Sequence, residues 1–201
     1  MANNAMQDRV NAARERVNNE VIPALLEAFP GQVEVIPPTN DQIPQVYVAS
    51  AVHESVARWL KERGFHMLVD ITAADYWPKR EPRFELVYHL REMPEKDPKG
   101  EKGLGMIRIR VKLTEKEPVH TLSHIWPMAI AAEREIWDQF GLNIVGHPNL
   151  TRILNPDDWE GHPLRKDYPL RGPRALIKPE MPADENRYHP FVDAEPAKEG
   201  E

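Results

Sequence analysis

The sequence of 201 residues contains no cysteine. This absence excludes disulfide bonds and cysteine-ligated zinc, and it removes the usual ligands of iron–sulfur clusters. No stretch approaches the roughly 20 apolar residues of a membrane-spanning helix, and the N-terminal residues lack the basic and apolar regions of a signal peptide. The net charge of −6 gives no field that would attract a polyanion. We therefore expect no nucleic-acid partner, and a cytoplasmic chain that meets a membrane only through other proteins.

Proline, in contrast, is abundant, with 20 residues in the chain and eight of them after residue 150. This proportion is far above the average of about 5%. Because proline lacks the amide hydrogen that helices and central strands need, the last part of the chain cannot form either. We therefore predict a core domain over residues 1–150, followed by an extended docking segment and tail over residues 151–201.

Hydrophobic periodicity in the first 150 residues predicts about three helices, over residues 10–28, 52–60 and 127–140. Pro23 is expected to split the first helix, while Gly64 and Gly141 are expected to end the other two. Alternating apolar and polar residues predict strands at 33–36, 45–49, 65–69, 84–90 and 107–113, with the first pair and the last pair forming hairpins. This order predicts an α+β fold with a mostly antiparallel sheet.

Four charged residues lie close together on the third predicted helix: Glu133, Arg134, Glu135 and Asp138. Paired carboxylates can perform acid–base chemistry when burial separates their pKa values. Arg134 and Asp138, however, are four residues apart, a spacing that predicts an ion pair within the helix. Glu133 and Glu135 are then left to find partners on other elements or on another subunit.

Two histidines, His120 and His124, offer a different interpretation. On a helix they would share one face, and with Glu133 and Asp138 they could ligate a metal in a stand-alone hydrolase. The remainder of a HExxH motif is absent, so we expect these histidines to satisfy the start of the helix instead. We predict neither catalytic nor metal-binding residues in this chain.

The segment from Gly146 to Leu170, which we call the ribbon, combines prolines and glycines with charged and aromatic residues. Such a segment cannot satisfy its own backbone, so it needs a surface to dock on, either its own domain or another chain. Arginine suits bidentate ion pairs at such a surface, and Trp159 and Tyr168 offer apolar area.

Three segments then resemble a known family: Ala132 to Leu142, Gly146 to Leu154 and Asp158 to Leu170. They are similar to the C subunit, also called the 30 kDa subunit, of the proton-pumping NADH-quinone oxidoreductase, respiratory complex I. The segment from Asp70 to Tyr76 resembles the same family, so that the likeness extends from about Val46 to Leu170.

The resemblance implies a peripheral subunit on the cytoplasmic side of the cell membrane that binds no cofactor, with FMN and iron–sulfur clusters on partner subunits. It also implies that the ribbon wraps the neighbouring D subunit, which forms part of the quinone site. The residues expected at this partner interface are Glu133, Arg134, Glu135, Asp138, Gly141, His147, Pro148, Arg152, Asp158, Trp159, Gly161, Pro163, Arg165, Lys166, Asp167, Tyr168 and Pro169.

Two further alternatives remain open at the level of sequence. The chain could be the equivalent subunit of a complex that takes electrons from reduced ferredoxin or coenzyme F420, because the donor site would lie on other chains. It could also be a soluble adaptor that binds peptides through the ribbon.

Overall fold

The fold is built on a mixed five-stranded sheet, and the computed structural model describes residues 2–93 and 104–169. The helices are α1 (Ala2–Arg16), α2 (Ile22–Ala28), α3 (His53–Glu62) and α4 (Ala129–Phe140). The strands are β1 (Val33–Ile36), β2 (Gln45–Val48), β3 (Met67–Asp75), β4 (Phe84–Arg91), β5 (Met106–Leu113), β6 (Val119–His120) and β7 (Ile144–Val145).

The strand order in the main sheet is β1-β2-β5-β4-β3. Both predicted hairpins are present, because β1 pairs with β2 and β4 pairs with β5 in antiparallel register. The pairing of β2 with β5 is parallel, with Gln45 opposite Arg108, and no pattern of residues had indicated it. A second, two-stranded sheet joins β6 to β7. The predicted α+β class is therefore confirmed, with a sheet that is mixed.

One apolar core joins the helices to one face of the sheet. The alternation predicted for β5 is present, since its odd-numbered residues are buried while Arg108, Arg110 and Lys112 lie on the opposite face. Strand β4 is buried on both faces. Its outer face carries the fully buried Glu85, which forms ion pairs with Arg80 and Arg110. Core residues include Val17, Leu25, Leu60, Leu86, Tyr88, Ile109 and Ile136.

The first predicted helix is divided, as expected, although the division lies before the proline. A π-helical turn over Val17–Val21 separates α1 from α2, and Pro23 occupies the first turn of α2. The predicted glycine ends are confirmed. Gly64 follows α3 with a φ of 99°, and Gly141 ends α4 with a φ of 69°.

Candidate partner interface

The described part of the ribbon, residues 146–169, lies on its own domain and follows α4 from one end to the other. Near the start of α4, Nε2 of His147 lies 3.0 Å from the Ile130 carbonyl oxygen. Further along the helix, Arg134 donates to the carbonyl of residue 151, and Asp138 accepts the backbone amide of residue 153. Residues 146–169 contain no helix or strand, so these contacts to α4 supply much of what secondary structure would otherwise provide.

Asp138 is the main attachment point, and its carboxylate is fully buried. Oδ2 accepts the backbone amides of Ile153, Leu154 and Asn155 at 3.2, 2.9 and 2.9 Å, and Oδ1 accepts Nη1 of Arg152 at 2.6 Å. Burial by itself would raise the pKa of Asp138, but the hydrogen bonds, led by those from Asn155 and Arg152, outweigh it and hold the pKa well below its usual range. The ionised side chain therefore fixes three consecutive residues of the ribbon.

The ion pair predicted between Arg134 and Asp138 is wrong. Asp138 pairs with Arg152, while Arg134 donates to the carbonyls of Thr151 and Arg152 at 2.9 and 2.7 Å. Helical spacing places Arg134 and Asp138 on one face, but the ribbon lies over that face and supplies backbone carbonyls to Arg134 and a second arginine to Asp138. Arg152 also donates to the carbonyls of Trp159 and Gly161, which draws the ribbon into a loop.

Two glycines allow the ribbon to turn tightly around the C-terminus of α4. A Cβ atom on Gly141 would lie 2.4 Å from Cδ2 of His162, whose Nδ1 lies 3.0 Å from the Asp138 carbonyl oxygen. Gly161 has a φ of 81°, and a Cβ there would lie 2.7 Å from Cε2 of Tyr168. At both positions a side chain would meet the positive φ and a close neighbour together.

The end of the ribbon is held by a second cluster, centred on Arg83. Its guanidinium donates two hydrogen bonds to Asp75, at 2.9 and 2.7 Å, and two to Asp167, at 2.9 and 2.6 Å. Asp75 also accepts the backbone amide of Lys166 at 2.8 Å. The hydrogen bonds that Arg83 donates lower the pKa of Asp167 to about 2, and the same bonds to Asp75 and Asp167 raise the pKa of Arg83 further above its usual value. The buried Asp75–Arg83 pair thus joins the ends of β3 and β4 to the ribbon.

Arg165 extends this cluster toward the surface. Its guanidinium pairs with Glu115 and lies 3.4 Å from Oδ1 of Asp167. The adjacent Lys166 uses its backbone amide for Asp75 and is exposed. Arg165 and Lys166, which were both predicted to lie at the partner interface, therefore have different environments.

Glu133 is buried but forms no part of an ion pair in the described residues. It accepts hydrogen bonds from the Thr121 hydroxyl and, at 2.7 Å, from the Leu122 amide. Burial raises the pKa of Glu133, and these two bonds only partly oppose the increase. The carboxyl group therefore joins α4 to the turn that precedes it, through neutral donors instead of the predicted salt bridges.

The histidines of the hydrolase hypothesis do not lie on a helix. His120 is in β6, and the Nε2 atom of His124 lies 2.9 Å from Glu54 on α3. Glu133 and Asp138 have the separate partners given above. Within residues 2–93 and 104–169, no group of three or more histidine, aspartate or glutamate side chains is placed to hold a metal ion.

The other predicted interface residues divide by exposure. Trp159 and Tyr168 are half-buried; the Tyr168 hydroxyl donates to the Glu160 carbonyl at 3.0 Å, whereas the Trp159 indole nitrogen has no acceptor among the described residues. His147 and Pro163 are also half-buried. The exposed members are Glu135, Pro148, Asp158, Lys166 and Pro169.

Several of the residues that form the two clusters around Asp138 and Arg83 were not identified from the sequence. Asp75 lies within the segment from Asp70 to Tyr76 that resembles the family, so a signal was present there, but its partner Arg83 belongs to no motif. Asn155, which donates to Asp138 through both its backbone and its side chain, and Glu115 also went unnoticed. Partners so distant along the chain leave no periodic pattern.

Comparison with known families matches residues 46–174 to the model described as "Respiratory-chain NADH dehydrogenase, 30 Kd subunit". The chain belongs to this family. The resemblance of the sequence motifs is thereby confirmed, and both clusters lie inside the matched residues.

Curated relatives of this 30 kDa subunit carry the same name as the resemblance. The NADH-quinone oxidoreductase C subunit of Geobacter sulfurreducens is 37% identical over 158 residues, which cover 78% of this chain and 92% of that one. Its namesake in Moorella thermoacetica is 48% identical over 114 residues, which cover 56% of this chain and 70% of that one. The NADH-quinone oxidoreductase C/D subunit of Acidiphilium cryptum is 38% identical over 170 residues, covering 76% of this chain and 27% of that longer protein.

Two solved structures share the fold. One is described as Nqo5 of a trypsin-resistant fragment (1–134), with a TM-score of 0.55 and 28% identity, covering 65% of this chain and 98% of that one. The other belongs to the membrane-bound sulfane sulfur reductase, an archaeal respiratory membrane complex, with a TM-score of 0.61 and 25% identity, covering 86% and 99%. Among the described residues of the present chain, no helix has both the length and the apolar character to cross a membrane.

Proposed function

We propose that this chain is a cofactor-free peripheral subunit of a proton-translocating NADH-quinone oxidoreductase. In that complex, FMN and iron–sulfur clusters on other subunits would carry electrons from NADH to quinone. This chain would contribute by positioning the quinone-reducing module, in contact with a D-like neighbour on the cytoplasmic side of the membrane.

The observation that carries the proposal is that the charged side chains of the two clusters bind the ribbon or one another. Asp138, Arg152 and Arg134 bind ribbon backbone, and Arg83 is shared between Asp75 and Asp167. A catalytic group needs access to a substrate and a pKa matched to its task. These groups are instead committed to holding a 24-residue segment, from 146 to 169, in one conformation, which is the property of a structural subunit.

The proposal of a D-like neighbour is supported by longer relatives that are named as combined C/D subunits. In the Acidiphilium cryptum and Psychrobacter arcticus proteins that are named as C/D subunits, the region similar to this chain makes up 27% and 26% of the polypeptide. Covalent linkage gives two parts a high effective concentration for one another. A separate chain of the same family would need to form that association through its own surface.

The test is purification of the full chain from its native membranes and, separately, alone. Alone, it is expected to show no visible absorbance and no oxidation of NADH. From native membranes, a tagged chain is expected to recover a D-like partner, identified by mass spectrometry. Flavin or cluster absorbance intrinsic to the chain, or recovery without that partner, would overturn the proposal.

A second candidate is the equivalent subunit of a relative that uses ferredoxin or coenzyme F420 as donor. The observation in its favour is the fold shared with part of a sulfane sulfur reductase, because the same architecture occurs in a complex with a different named activity. The native complex decides between the two candidates. Recovery of a flavin-containing NADH module with the tagged chain supports the first, and NADH-inert complexes that accept electrons from ferredoxin or F420 support the second.

A further inference from the structure

The ribbon holds large aliphatic side chains in solvent. Leu154 is 63% exposed, which is the highest value among the large apolar residues that the structure describes, and Ile153 and Leu164 are 42% and 52% exposed. Single exposed aliphatic residues are common on protein surfaces and need no explanation. What distinguishes these is the backbone that carries them.

The backbone at Ile153 and Leu154 is fixed. Both amides donate to Oδ2 of the fully buried Asp138, and the carbonyl that precedes them, on Arg152, accepts Nη2 of Arg134. On the other side of the ribbon, the Leu164 amide donates to the Gln139 carbonyl at 3.0 Å. These bonds prevent the segment from turning its apolar side chains inward. A backbone held in place in this way loses little conformational entropy when a partner covers the side chains that it carries.

The same helix carries more exposed apolar surface beside the ribbon. Ile130 on α4 is exposed, and its carbonyl contacts His147; Val145, two residues before that histidine, is exposed as well. The charges of this flank, on Arg134, Arg152 and Asp138, are directed at the ribbon backbone. Depletion of free charge with large apolar side chains at the centre is typical of the buried part of a protein interface.

From this arrangement we infer that Ile153 and Leu154 form the centre of the surface that binds the D-like partner, with an apolar groove of that partner as the receiving site. The inference rests on the proposed function, because the relatives named as C/D subunits are what identify this partner. It differs from the expectation drawn from sequence, in which charged residues and the aromatic Trp159 and Tyr168 formed the interface and neither Ile153 nor Leu154 was included. Arg134, Arg152 and Asp167 hold the ribbon to its own domain, and the exposed aliphatic residues supply the apolar centre of the surface that faces the partner.

In the experiment, each tagged full-length variant replaces the wild-type chain in the native cells, and the complex is then purified from their membranes. The double variant Ile153→Asp with Leu154→Asp is expected to lower the recovery of the D-like partner by about tenfold or more, because it places two charges where the partner would bury apolar side chains. The matched control is Val35→Asp on the edge strand β1, where valine is 48% exposed. This control is expected to recover the partner at the wild-type level.

A photo-cross-linking amino acid at position 154 or at position 35 provides a second measurement that does not depend on the stability of the aspartate variants. Position 154 is expected to form an adduct with the D-like partner, and position 35 is not. Wild-type recovery by the double variant, or an adduct from position 35 but none from position 154, overturns this inference. Failure of the wild-type chain itself to recover a D-like partner overturns the proposed function instead.

Discussion

Asp138 illustrates why a short acidic side chain is required at its position on α4. Its two oxygens accept three backbone amides, Nη1 of Arg152 and Nδ2 of Asn155, all within 3.2 Å. A carboxylate can accept about four or more hydrogen bonds at once, whereas an amide offers one accepting oxygen. The residue thus organises the ribbon because of its chemistry, and its position in the helix only brings it within reach.

Replacement of Asp138 by alanine is expected to lower the free energy of unfolding by about 3–5 kcal/mol, because it leaves a cation and three amides without their buried acceptor. Glu135→Ala is the control on the same helix. Glu135 is exposed, so its removal is expected to change the stability by less than about 0.5 kcal/mol. Urea denaturation of the full chain measures both values, and equal effects would contradict the role assigned to Asp138.

Asp167 predicts a particular dependence of stability on pH. Its pKa is lowered from 3.8 to about 2 in the folded chain, chiefly by hydrogen bonds from Arg83. A lowered pKa means that ionised Asp167 stabilises the fold above pH 3.8 and that this contribution disappears as the pH falls toward 2. The difference in unfolding free energy between wild type and Asp167→Asn is therefore expected to be largest near pH 6 and to vanish near pH 2.

The control for this titration is the same substitution in an Arg83→Met background, where the pKa of Asp167 loses its main perturbing partner. There, the pH-dependent difference is expected to become much smaller. A difference that stays constant from about pH 2 to about pH 6 in the wild-type background would show that Asp167 acts without its charge.

At the scale of secondary-structure elements, the end of α4 depends on one glycine that has two separate requirements. Gly141 needs a positive φ, and it also needs open space for His162. Gly31 has nearly the same φ, 72°, but nothing lies within 4 Å of its Cβ position. The chain therefore offers a comparison in which backbone strain is matched and packing is not.

Gly31→Ala is expected to reduce stability by about 1 kcal/mol, the usual value for a left-handed L-residue. Gly141→Ala is expected to cost at least about 1 kcal/mol more, since His162 must leave the Asp138 carbonyl. Gly141→Ala should also speed trypsin cleavage after Arg165 and Lys166, which Gly31→Ala should not. Thermal unfolding and timed digestion measure the two effects, and identical behaviour of the variants would refute the packing requirement.

The elements that the sequence could predict are those with local signals. Alternation in β5 and the glycines after α3 and α4 each depend on neighbours within a few residues, so helices, hairpins and helix ends were all predictable. The parallel pairing of β2 with β5 was not, because no local pattern records which distant strand lies alongside Val46. The same limit applies to Asp138, where a nearby arginine was chosen over Arg152 because only helical spacing can be read from sequence.

At the scale of the whole molecule, variants of the adjacent ribbon residues Arg165 and Lys166 can distinguish effects on the stability of the chain from effects on assembly of the complex. Arg165→Glu reverses a charge that faces Glu115 and Asp167, so it is expected to lower both the melting temperature of the chain and the yield of the complex. Lys166→Glu changes an exposed side chain, so it is expected to lower the yield alone. Native gel electrophoresis and melting curves measure the two quantities.

For both charge reversals, the quinone turnover of each complex that does assemble is expected to stay near the wild-type value. This follows from the proposal that the chain positions other subunits. Normal assembly with a collapse of quinone turnover would contradict it and would give the ribbon a part in the reaction.

The parallel contact between β2 and β5 also determines when the main sheet of this subunit can be completed. Gln45 cannot find Arg108 until the chain has been synthesised through β5, so the β1–β2 hairpin must wait with one edge unpaired while β3 and β4 emerge from the ribosome. Contacts between such distant residues slow folding, and exposed strand edges favour aggregation. Truncated translation products that end before residue 106 are therefore expected to be the aggregation-prone species of this subunit.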